Sequence, residues 1–178
     1  MNLGKKIISL AAGVALVAGV GVAAATPATA KTKYSGTTVI SFKKELLPVV
    51  AGIVPVAPAK VAGPRLSFPV TNVVGDSVEH SGGIKIGPTE AKNPIIVIGE
   101  NNTASITLEV VGLARAEIFV IKNFKVRKET KKQQVWQGFL HLTSNPAIVE
   151  ALNASAGAAI FTPDMGLGQI RTTINIKK

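Results

Sequence analysis

The chain has 178 residues, 47% of them hydrophobic and only 4% aromatic, with 20 Lys+Arg against 10 Asp+Glu and no cysteine. The missing cysteines exclude a disulfide framework, a thiolate metal or redox site and lipid attachment through an N-terminal cysteine. The twofold excess of basic residues points to anionic partners.

In chain order, residues 1–30 have the layout of a secretory signal: Lys5 and Lys6, an apolar run from Ile7 to Ala25, then small Ala28 and Ala30 ahead of a cut after Ala30. The expected organisation is a signal peptide over 1–30 and a single secreted β domain over 31–178. Losing Lys5 and Lys6 leaves 18 basic residues against 10 acidic ones, so the excess charge belongs to the mature chain. After residue 30 no apolar run approaches the length of a bilayer span.

Phe42 to Val50 carries a weak helical pattern that Pro48 limits to a turn or two. Val54 to Pro64, with three prolines, reads as an extended surface connector. Beyond it, period-two alternation dominates, as a strand with one buried face requires. Leu66, Phe68 and Val70 alternate with Ser67 and Pro69. Ile106, Leu108 and Val110 do so with Thr107 and Glu109, and Ile170, Thr172, Ile174 and Ile176 with Arg171, Thr173, Asn175 and Lys177. Pro94–Ile98 and Ile118–Ile121 are apolar on both faces and suit central strands. Val135–Leu142 adds another.

The best helix signal is Asn145 as N-cap, Pro146 at the first helical position, Ile148, Val149 and Leu152 on one face, and Gly157 as a stop. Gly and Asn/Asp clusters punctuate the strands. The fold expected is all-β: an antiparallel sandwich or partly closed barrel of roughly seven to nine strands with one short helix near 145–154.

Candidate chemistry is sparse. Val74-Gly75-Asp76-Ser77-Val78 resembles the opening block of a GDS-type esterase, whose serine needs a histidine base and an aspartate, both near the C-terminus as Asp-x-x-His. Here the late aspartate is Asp164 and the residue three after it is Leu167. The block therefore reads as a turn between strands, and a hydrolase using Ser77 is only an alternative; no enzyme activity is expected.

The two histidines are His80 and His141. His80 shares strand parity with Val78, Ile84 and Ile86, which points it to the packed face, where an imidazole must be hydrogen-bonded or bound to something. No acidic residue or third histidine stands at ligand spacing from either, so no metal site is expected. The most uneven charge lies in Lys122–Lys132, where Lys122, Lys125, Arg127, Lys128, Lys131 and Lys132 oppose one acid, Glu129. Alternation turns Lys125 and Arg127 outward and leaves Lys128–Lys132 as a polar hairpin loop. These six are candidates for contact with an anionic surface. The scarcity of aromatics removes a stacking platform for nucleic acid, which leaves an anionic cell-envelope polymer or another surface protein as partner.

Ser41-Phe42 after a strand, Phe68 in a Phe-Pro strand, Val78-Glu79-His80-Ser81-Gly82-Gly83-Ile84 and Lys92-Asn93-Pro94-Ile95-Ile96-Val97-Ile98, in that order, resemble the Htaa domain, a secreted all-β module of actinobacteria that takes part in haem uptake. The likeness covers about residues 37–125. It implies a non-enzymatic binding or envelope-associated module, with haem as the possible cofactor and His80 as the residue matching the family's haem-assisting histidine. The family's tyrosine ligand is implied three residues after Ser-Phe, where this chain has Glu45; its only tyrosine is Tyr34. A carboxylate is a poor axial ligand for haem iron.

Overall fold

A computed structural model of the chain describes residues 33–111 and 114–177; the signal-peptide segment expected over 1–30 lies outside them. Eleven strands form one sheet: β1 (Lys33–Phe42), β2 (Val54–Val56), β3 (Lys60–Ala62), β4 (Arg65–Val74), β5 (Ser77–His80), β6 (Gly83–Ile86), β7 (Thr89–Ile98), β8 (Ala104–Val110), β9 (Arg115–Glu129), β10 (Gln133–Leu142) and β11 (Gly166–Lys177). Every pairing is antiparallel. The order β7-β5-β4-β1-β11-β10-β9-β8 returns to β7 through a β7–β8 pairing, so eight strands close a barrel and leave that ring without an edge.

The alternating residues fill its inside. Leu66, Phe68 and Val70 of β4, Ile106 and Leu108 of β8, and Ile170 and Ile174 of β11 are all buried, and a slip of one residue in any of these strands would turn its apolar set outward. Two segments differ from expectation. The connector over 54–64 holds two three-residue strands, β2 on β6 and β3 on β4, because its prolines tolerate extended backbone at a sheet margin. The basic segment stays paired with β10 as far as Glu129, which shortens the expected hairpin loop to a tight turn.

The strand carrying His80 is interrupted. Gly82 adopts φ 87°, and a Cβ there would stand 2.5 Å from the Ala59 amide nitrogen, so the chain steps from β5 to β6 only with glycine at this place. Two helical pieces join the core. A 3₁₀ turn (Lys44–Leu46) runs into α1 (Leu47–Ala51) and buries Leu46 and Val50. Helix α2 (Pro146–Ala156) follows its sequence signals: Asn145 Oδ1 accepts from the Ala147 amide at 3.0 Å, and Gly157 ends the helix at φ 68°. The Asn153 side chain then ties down the following loop, accepting from the amides of Ile160 (2.9 Å) and Phe161 (2.8 Å) and donating to the Phe161 carbonyl (2.9 Å).

Candidate functional site

His80 ends β5 with its ring inside the barrel and only 4% of its surface exposed. Its hydrogen bonds fix the tautomer. The Pro94 carbonyl, 3.1 Å from Nδ1, can only accept, so Nδ1 carries the proton. Nε2 must then accept, from the Thr38 hydroxyl at 2.6 Å, and the Thr38 oxygen in turn accepts from Thr172 at 2.8 Å. The relay runs from Thr172 through Thr38 and His80 to Pro94, across four strands. Burial, which penalises the imidazolium, pushes the His80 pKa down from 6.5 to about 4, despite backbone hydrogen bonds that favour the charged form. The ring is neutral at physiological pH.

Beside the relay lies a cavity of about 90 Å³, lined by apolar side chains that include Phe68, Ile96 and Leu108, with Leu46, Val50, Leu152 and Phe161 from the helical segments and the loop after α2 also in its wall. Its other polar lining groups, Thr89 and Ser155, hydrogen-bond each other at 2.7 Å. Pockets that enclose a drug-sized ligand run to roughly 300–1,000 Å³, and a tetrapyrrole is larger still, so this cavity does not fit haem. Glu45 is exposed on the 3₁₀ turn and does not line it, and Tyr34 sits at the start of β1 opposite Ile176. The structure does not bring either residue to His80.

Ser77 and His80 face opposite sides of β5 by strand parity, and His80 already spends its acceptor nitrogen on Thr38, so no serine–histidine dyad exists there. His141 lies on the outer face, its Nδ1 3.0 Å from the Asp164 carbonyl and 3.8 Å from that residue's carboxylate. Lys122 bonds the same carboxylate at 2.6 Å and holds the Asp164 carboxyl below the usual carboxylate range.

The six basic candidates separate. Lys122 is committed to Asp164, Lys128 donates to Gln133 at 3.0 Å, and Lys131 and Lys132 lie exposed at the hairpin tip. Lys125 and Arg127 instead help line a groove of about 650 Å³ on the outer face of β4, β1, β11, β10 and β9. There they meet Arg65 of β4 and Arg171 of β11, and among the described residues no carboxylate lines the groove. The register explains the gathering. Ser67, Val39, Arg171, Gln137 and Lys125 form one cross-strand row, and Arg65, Ser41, Gln169 and Phe139 form the next. Arg127 reaches across to Gln137, donating through Nε at 2.9 Å. Phe139 lies in this surface 47% exposed, a large apolar ring left among cations. Sequence reading grouped basic residues by chain proximity and so missed Arg65 and Arg171; their outward parity beside Leu66 and Ile170 was the available signal.

No protein-family model and no curated protein matches the chain. Among solved structures it is similar to the heme binding protein HtaB from Corynebacterium glutamicum, at TM-score 0.61 and 13% identity over 82% of this chain and 95% of that one. It is also similar to the C-terminal domain of HtaA from the same organism, at TM-score 0.59 and 13% identity over 83% of this chain and 100% of that one. The Htaa-like resemblance read in the sequence therefore holds at the level of fold, over most of the chain.

Proposed function

We propose that this chain is a secreted, non-enzymatic binding module of Htaa-like architecture that holds an anionic polymer of the cell envelope on its outer groove. The observation that carries the reading is the meeting of Arg65, Lys125, Arg127 and Arg171, from three of five neighbouring strands, with no carboxylate among the described residues that line the groove. Like charges gathered on a rigid sheet cost stability through repulsion and gain from an anion that neutralises them. The excess of 18 basic over 10 acidic residues in the chain after residue 30 acts in the same direction by drawing the module toward an anionic surface.

A haem reading draws on the likeness to HtaB, described as a heme binding protein. The residues here do not favour it: His80 has both ring nitrogens engaged, and Glu45 stands where the resemblance calls for tyrosine. The test of the envelope reading is co-sedimentation of the mature chain with isolated cell wall. The expected result is retention at low salt, release as ionic strength rises, and loss of retention in the double variant Lys125→Glu, Arg171→Glu. Retention indifferent to both salt and charge reversal overturns the reading.

A further inference from the structure

The arrangement of charge within the groove says more than its sign. Across the five strands the cations occupy alternate positions: Arg65 on β4, Arg171 on β11, and Lys125 with Arg127 on β9. The strands between them present neutral side chains, Val39 and Ser41 on β1 and Gln137 and Phe139 on β10. Neighbouring strands are about 4.8 Å apart, so the cationic strands recur at about 10 Å. A nucleic acid strand carries a charge about every 3.4 Å along its axis, and a bare polyphosphate is at least as dense. Either would crowd several anions against each neutral strand. The spacing suits a chain with sparse charges and bulky neutral units between them.

Phe139 supplies the second observation. It pairs with Gln169 on β11, which sets it diagonal to Arg171, and with Lys122 on β9, whose ammonium is bound to Asp164; Phe139, Lys125 and Arg171 all line the groove. An exposed aromatic face between cations adds nothing to the capture of a bare polyanion; it fits a ligand that presents the C–H face of a ring between its charges. Gln137 and Gln169 add amide donors and acceptors for hydroxyls. We infer that the groove binds an acidic polysaccharide lying across the strands, its anionic groups on Arg65, Arg171 and the Lys125–Arg127 pair, with a sugar ring packed on Phe139.

This inference rests on the proposed function and narrows it, and the experiment separates the two. The mature chain is titrated at physiological salt with hyaluronate, which has one carboxylate per disaccharide, and with inorganic polyphosphate matched for total charge. The expected result is at least tenfold tighter binding of hyaluronate. Phe139→Ala is expected to weaken hyaluronate about tenfold and to leave polyphosphate within twofold; Phe139→Tyr should retain most of the affinity. Because the ring is half exposed, these variants keep the core intact, which an unchanged melting temperature checks. Polyphosphate binding as tight as hyaluronate, or a Phe139→Ala effect equal on both, overturns the acidic-polysaccharide inference while leaving the anionic-polymer reading standing. Failure to bind either polymer, together with no retention on cell wall, overturns both.

Discussion

The buried relay makes the protein acid-sensitive in a window that one residue sets. His80 titrates at about 4 when folded and near 6.5 when unfolded. Its folded pKa is depressed, so below 6.5 protons bind the unfolded chain preferentially: the contribution of the neutral ring is complete above that value and is lost as pH falls toward 4. At pH 7 the unfolded imidazole is mostly neutral and the loss is negligible. At pH 5 it is almost fully protonated while the buried ring is not, which costs about 2 kcal/mol. With a urea slope of about 1–3 kcal/mol/M, the midpoint should drop by about 1 M between pH 7 and pH 5. Fluorescence of Trp136, the only tryptophan, buried and edge-on to Phe124 at 5.5 Å between ring centroids, reports the transition. His80→Gln removes the titrating group and keeps some hydrogen-bonding capacity, so its curve should start lower and run nearly flat over the same window. A pH slope in the variant equal to the wild type would refute the assignment of acid sensitivity to this ring.

Thr38→Val removes the hydroxyl that donates to His80 Nε2 and accepts from Thr172, orphaning two buried groups, and should destabilise by about 1–3 kcal/mol in the same urea assay. Leu140→Ala, at a fully buried position in β10, should cost about 2–5 kcal/mol. Asn145→Ala removes the N-cap of α2 and should cost about 1 kcal/mol, seen as a lower melting temperature. Hemin added to the mature chain should give no saturable Soret band that His80→Ala abolishes, since ligation through Nε2 would first have to break the Thr38 hydrogen bond.

Much of the barrel was legible because its strands face water on one side only. The parity that buries Leu66, Phe68 and Val70 also identified His80 as inward-facing, and the capping residues of α2 are local enough to read without tertiary information. Closure was not legible: the β7–β8 pairing joins Ala91–Ile98 to Ala104–Val110 as an ordinary hairpin in sequence, and only the path through all eight strands turns it into a seam. Nor were the partners of His80. Thr38 and Thr172 lie 42 and 92 positions from it, and nothing in either strand's alternation distinguishes a threonine that satisfies a ring from one that merely fills a β position. The groove failed for the same reason. Arg65 and Arg171 join Lys125 and Arg127 through register alone, while the basic hairpin tip that drew attention in the sequence lies outside the groove.

Backbone amide chemical shifts of the isotopically labelled mature chain, followed during titration with a soluble fraction of envelope polymer, locate the binding face most directly. Saturable shifts are expected, confined to β4, β1, β11, β10 and β9 and centred on Ser41, Phe139 and Arg171, with the amides around His80 unmoved. Shifts concentrated at the Thr130–Lys132 turn, or at the barrel interior beside His80, would contradict binding at the outer groove.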